Sequence, residues 1–139
     1  MPSEEQNIAV IHKLFDGLSK GNLAVIDECI AENFVRHSPG YEDMGIEDYR
    51  QVRKQTIAAL PSVTTIEEIV ASGDKVAFRV KHKAIHTGTL MGRPPTGNKI
   101  DVDEVYFARF ENGKIAEWWC LLDRLTMQQQ LKPTEEIGK

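Results

Sequence analysis

The sequence predicts an α+β fold, with helices first and a curved, mostly antiparallel sheet after them. Three observations carry this. Apolar residues recur at helical spacing as far as Leu60. From Val63 the pattern changes to alternation, the period of a half-buried strand. Glu111-Asn112-Gly113-Lys114 then joins two alternating runs, and Asn-Gly favours the positive φ that a tight hairpin turn needs. A strongly curved sheet with N-terminal helices across its mouth makes a cone-shaped barrel around one interior cavity.

The elements follow in order. Ile8, Ile11, Phe15 and Leu18 lie at helical spacing, Leu14 widens the stripe, and Gly21 ends the helix. Asn22 can cap a short second helix carrying Leu23, Ile26 and Ile30. Residues 33–40 read as a short extended piece closed by Pro39 and Gly40. A third helix, 46–60, places Tyr49, Val52 and Ala59 on one side before Pro61 stops it. Residues 63–71 are rich in strand formers, and 72–75 form a turn. In the next strand Val76, Phe78, Val80, His82, Ala84 and His86 share one face, opposite Arg79, Lys81 and Lys83. After the loop 87–99, a long strand places Val102, Glu104, Tyr106, Ala108 and Phe110 on one face. Asp101, Asp103, Val105, Phe107 and Arg109 oppose them. The hairpin then makes 114–124 the return strand, with Trp118, Cys120 and Leu122 on one face and Trp119 and Leu121 on the other. Leu125, Gln128 and Leu131 indicate a short closing helix.

A chain of 139 residues fits one domain spanning 1–139, with about 1–5 and 133–139 as frayed tails. Its formal net charge is −4, and no Lys/Arg cluster exceeds a local pair, which argues against nucleic acid or an anionic membrane as a partner. Residues 1–11 lack the cationic start and apolar run of a signal peptide, and no segment is long enough to span a bilayer. Cys29 and Cys120 have no metal-ligand spacing, so two free thiols in a reducing cytoplasm are expected.

Chemistry is indicated by polar residues on the apolar faces of consecutive strands. His82 and His86 lie among Val76, Phe78 and Val80. Glu104 and Tyr106 lie between Val102 and Ala108, and Trp118 and Cys120 lie beside Leu122. Several buried ionisable groups are costly unless mutually paired, and such clusters are where a Glu or His is tuned for acid–base work. A structural account covers each residue singly. A buried histidine can be a bonded core residue, Glu104 can form an ion pair with one, Tyr106 and Trp118 can be core aromatics, and Cys120 a small hydrophobe. His82 and His86 lie roughly 13 Å apart along a strand, too far to share one ion, so no metal is expected.

The run HTGTLMGRPPTGNKIDVDEVYFARFENGKIAEWWCLLDRLTMQQQL, together with FVRHSP at 34–39, resembles the SnoaL-like polyketide cyclases of the nuclear transport factor 2-like superfamily. The resemblance implies a cone with an interior cavity and a homodimer built across the sheet. It also implies ring closure by intramolecular aldol condensation, without metal or organic cofactor. In that family an aspartate on the last strand is the general acid/base and a histidine on the preceding strand helps hold the enolate. Those positions fall on Cys120 and Tyr106 here. Asp123 matches another common family aspartate, at the strand's end.

The resulting expectation is a cofactor-free isomerase, cyclase or lyase acting on a hydrophobic, carbonyl-bearing, polyketide-like molecule. Glu104 is the base, Tyr106 donates to the enolate oxygen, and His37 or His86 completes the relay. Trp118, Cys120, His82, Phe78, Leu122 and Asp123 form the substrate-binding set. The alternative is a non-catalytic small-molecule binding protein, in keeping with a cysteine at the aspartate position. An epoxide-hydrolase relay would need an Asp-Arg-Asp set, but Asp101, Arg109 and Asp103 fall on the face away from the cavity.

Overall fold

Ser3 starts the first helix. Its hydroxyl accepts from the Gln6 N–H at 3.1 Å, and the Gln6 side chain accepts from the Ser3 N–H at 2.7 Å, a capping box that satisfies two otherwise orphaned donors. That helix, α1 (Glu4–Ser19), buries Ile11, Leu14, Phe15 and Leu18, the stripe read from the sequence. The structure, a computed structural model, describes residues 3–90 and 92–132. Of the tails expected at about 1–5 and 133–139, residues 3–5 instead cap and open α1, and 1–2 and 133–139 lie outside the described residues.

Asn22 accepts from the Ala24 N–H at the start of α2 (Ala24–Cys29). Ile30, expected on that helix, instead turns into extended backbone and opens β1 (Ile30–His37), which is longer than the short piece foreseen. After α3 (Ile46–Ala59) come β2 (Ser62–Ser72), β3 (Lys75–Ile85), β4 (Lys99–Glu111), β5 (Lys114–Leu122) and α4 (Arg124–Leu131). The strands form one sheet in the order β1-β5-β4-β3-β2. The meander from β2 to β5 is antiparallel throughout, and β1 joins it parallel to β5. The curved sheet stays open, with β1 and β2 as its free edges.

Two local features set which side chains reach the interior. Asn112 and Gly113 both have positive φ, at 51° and 81°, and close the β4–β5 hairpin as their types favour. Ala116 is then an extra residue in β5, because Arg109 pairs with Glu117 and Phe110 with Ile115. Ile115 and Trp118 are three apart and would point to opposite faces of a regular strand; the bulge lets both be buried. At the other end of the cone Gly88 lies so close to α3 that a Cβ there would stand 2.8 Å from the Ala59 Cα.

The core cluster joins α1, α2 and the concave sheet face, with Trp118 packed on Phe15, Phe34, Tyr49 and Tyr106. A second cluster sits near α4 and contains Leu60, Ile100, Val102, Met127 and Leu131. Leu125, expected on the buried side of the closing helix, is exposed, and Met127 takes its place. Among the described residues no helix is long and apolar enough to cross a membrane.

Candidate active site

The concave face of the sheet, α3 and α4 enclose a cavity of about 390 Å³. Its sheet wall carries His82 and Ala84 from β3, Ile100, Val102, Glu104 and Tyr106 from β4, and Trp118, Cys120 and Leu122 from β5. Strand register explains the grouping. Val80 opposes Glu104, Phe78 opposes Tyr106 and Tyr106 opposes Cys120, so alternate residues of three neighbouring strands reach one space.

A chain of hydrogen bonds runs across the wall. Thr64 on β2 shares a 2.7 Å hydrogen bond with His82 Nδ1, and His82 Nε2 donates to Glu104 Oε1 at 2.8 Å. The Tyr106 hydroxyl donates to the same oxygen. Oε2 of Glu104 therefore has no hydrogen-bond partner among the described residues. The His82 and Glu104 side chains are only 13% and 14% exposed, so these bonds form in a water-poor site where charge-assisted contacts are strong.

Electrostatics follows from that geometry. Burial pushes the Glu104 carboxyl up, but the bond and charge of His82, the Tyr106 hydroxyl and the Arg53 charge outweigh it and hold the pKa below the ordinary carboxylate value. Burial, reinforced by the Glu104 charge, pushes the Tyr106 phenol well above its usual range. Burial also raises the Cys120 thiol to about 11 and the Tyr49 phenol to about 12. At neutral pH the wall therefore presents one carboxylate, two protonated phenols and a protonated thiol. A thiol in that state is neither a base nor an effective nucleophile.

The other residues expected at the site are placed elsewhere. His37 has the parity of Val35, opposite to buried Phe34, and lies on the outer face of the sheet. There it bonds Asp43 at 2.8 Å and Glu117 at 2.5 Å and stacks on Trp119. Glu117, then Asp43, raises its pKa against the opposing effect of burial. His86 is fully buried beyond the end of β3, and its Nδ1 accepts from the Thr96 N–H at 3.3 Å, so it anchors the 87–98 loop. Neither imidazole contacts Glu104; His82, expected only to bind substrate, is its partner. Phe78 is a core ring stacked on Tyr106. Asp123 caps α4 by accepting from the Thr126 N–H at 3.1 Å, with its pKa lowered by that residue. Trp118 reaches the cavity, but its ring surface is already covered by the four aromatic neighbours named above.

Sequence reasoning missed the lining residues Arg36, Tyr49 and Arg53, and the hydrogen bond from Thr64 on β2 to His82. Signals for them exist. Arg36 is two residues from Phe34 and so shares its face, and Tyr49, Val52, Arg53 and Thr56 follow helical spacing along one side of α3. Asp101 and Asp103 are on the outer side, bonded to Lys81, and Arg109 is held by Glu111 and Glu117. Among the described residues no three His, Cys, Asp or Glu side chains gather as a metal site.

Comparisons with known proteins agree with the architecture. Residues 9–131 match the family model of the SnoaL-like polyketide cyclases. IdmH from Streptomyces antibioticus, a proposed polyketide cyclase, is 30% identical with a TM-score of 0.81, over 91% of this chain and 98% of that one. A proposed SnoaL-like polyketide cyclase from Jannaschia sp. CCS1 is 23% identical with a TM-score of 0.86, over 94% of each chain. AclR from Streptomyces galilaeus, a proposed hydroxylase, is 23% identical with a TM-score of 0.85, over 93% of this chain and 97% of that one. No curated protein is a significant match in sequence. One fold thus carries different proposed chemistries, and the reaction has to be argued from the residues of the cavity.

Proposed function

The chain belongs to the SnoaL-like polyketide cyclase family, and on that premise we propose that it is a cofactor-free isomerase, cyclase or lyase acting beside a carbonyl group of an apolar, polyketide-like molecule. The observation that carries this is Glu104: ionised, nearly buried, anchored through one oxygen and without a partner for the other among the described residues. In the proposed reaction Oε2 takes a proton from the carbon next to the carbonyl, and the C–H electron pair passes to the carbonyl oxygen as an enolate. Before the transfer the negative charge is on Glu104, and the Tyr106 hydroxyl points its proton there. After it, the charge has moved to the enolate, and the same hydroxyl can turn to follow it. Tyr106 keeps its proton throughout, because burial has raised its pKa well above neutrality. His82 and Thr64 hold the carboxylate in place. A positioned donor in a dry site at the developing oxyanion is the effect that carries the rate.

The test is exchange at carbon. Wild-type protein saturated with 2-acetylnaphthalene in D₂O should accelerate loss of the methyl protons, and Glu104→Gln should lose about 100-fold or more of that acceleration. Equal exchange by Glu104→Gln would remove Glu104 from the role of base. A second reading, a non-catalytic binding protein, draws on Cys120, a thiol held protonated where the family resemblance puts an aspartate. Binding of the ketone with no wild-type exchange would favour it.

The outer sheet face supports a homodimer as part of the same proposal. Val105, Phe107, Trp119 and Leu121 are exposed side by side on β4 and β5, a contiguous apolar patch of the kind that can serve as a protein interface. The two free, buried thiols, Cys29 and Cys120, fit a reducing compartment such as the cytoplasm.

A further inference from the structure

The cavity holds more positive charge than its proposed chemistry uses. Arg36, Arg53 and Arg124 all line it, against the single carboxylate of Glu104, in a chain whose formal net charge is −4. Arg124 is engaged: it donates to Ser38 Oγ and the Pro39 carbonyl, each at 2.8 Å, and lies over the Tyr41 ring. The other two are not. Among the described residues neither the Arg36 nor the Arg53 side chain has a hydrogen bond or an ion pair, and the Nε of each is buried without a partner. Trp118 Nε1 is a third buried, unpaired donor, on a side chain only 1% exposed.

These donors are neighbours by construction. Arg36 on β1 and Trp118 on β5 are register partners. Arg53 approaches from α3, one turn beyond Tyr49, and Tyr49 feels the charge of both arginines. A buried donor without an acceptor is expensive unless something supplies one. Two guanidinium groups without partners on the wall of one cavity, beside a buried and unpaired indole N–H, call for an anionic, oxygen-rich, planar acceptor.

We propose that the cavity binds a small molecule carrying a carboxylate, held by Arg36, Arg53 and the Trp118 N–H, with its apolar body against Val102, Ile100 and Leu122. This rests on the reading of the cavity as the site of a carbonyl reaction and narrows its substrate to a keto acid. The charged end would then be fixed near β1 and α3, and the carbonyl end would reach Glu104 on β4.

The probe is 2-naphthoate, set against 2-naphthamide, a neutral molecule of nearly the same shape, with binding followed by calorimetry. Wild-type protein should bind the carboxylate at least about tenfold more tightly, a preference that shrinks with added salt. Arg36→Met and Arg53→Met should each reduce that preference while leaving naphthamide affinity near wild type. If a variant fails to fold, the wild-type salt series carries the same test. Equal affinity for the two probes, no measurable naphthoate binding, or an anion preference that survives both substitutions overturns the proposal. Glu104→Gln separates it from the reading it rests on, because this variant should lose carbon exchange yet keep or strengthen naphthoate binding. Intact Glu104-dependent exchange without anion preference would mean a neutral substrate.

Discussion

Removing one oxygen atom from Tyr106 isolates the hydrogen bond on which the state of Glu104 depends. Tyr106→Phe keeps the ring that stacks on Phe78 and meets Phe15 and Trp118 edge-on, so packing is preserved and no cavity opens. What is lost is a bond to a charged, nearly buried acceptor, which contributes about 1.5–3 kcal/mol. At a urea sensitivity of roughly 2 kcal/mol per molar, the midpoint of unfolding should fall by about 1 M. The melting temperature should fall by about 5–10 °C for a chain of this size. The loss should also depend on pH. The Glu104 pKa is below its ordinary 4.5 in the folded state, so its contribution is complete above 4.5 and disappears as pH falls through the folded value. The substitution removes one of the groups that lower that pKa, so the gap between variant and wild type should be constant from pH 6 to 8 and narrow below 4.5. Urea titrations at fixed protein concentration across this range make the measurement. A loss under about 0.5 kcal/mol at pH 7, or one that does not shrink at any pH below 4.5 at which the protein still folds, would refute the assignment of Glu104 as a carboxylate anchored by Tyr106.

Two further outcomes are expected. Asp123→Ala removes the cap of α4, which carries Met127 and Gln128 to the cavity wall, and should cost about 1 kcal/mol, with faster amide exchange confined to residues 124–131. Trp119→Glu puts a charge into the exposed apolar face of β4 and β5 and should yield monomers by sedimentation velocity where wild type sediments as a dimer; a wild-type monomer would rule out the homodimer.

The fold was legible because each element has its own local cause. The helical stripe of α1, the alternation of β3 and β4, and the Asn112-Gly113 turn act over a few residues, and the structure uses them as written. The missed features are those where two elements meet. Ile30 fits a helical stripe with Ile26, yet pairs with Ile115 in the sheet, and a parallel edge contact between distant segments leaves no local signature. The same holds at the site. Alternation put Glu104, Tyr106, His82 and Cys120 on one face, but it is the register of β3 against β4 that sets His82 beside Glu104. The parity of β1 sends His37 outward and brings Arg36 in.

The thiol at position 120 follows from the same register. Cys120 opposes Tyr106, and Glu104 lies two residues along β4 on the same face, which makes Cys120 and Glu104 diagonal neighbours, about 7–8 Å apart at the backbone. Two carboxylates that close in a water-poor cavity raise each other's pKa, and one of them would hold a proton at neutral pH. Glu104's charge already contributes to the raised pKa of the thiol, second only to burial. With a cysteine at 120 that competition is absent, and the bonds from His82 and Tyr106 suffice to keep Glu104 ionised. The thiol at 120 and the anchored carboxylate are in this sense one arrangement. An ionised Glu104 on β4 is favoured by an uncharged neighbour on β5, and a buried thiol with a pKa of about 11 is uncharged.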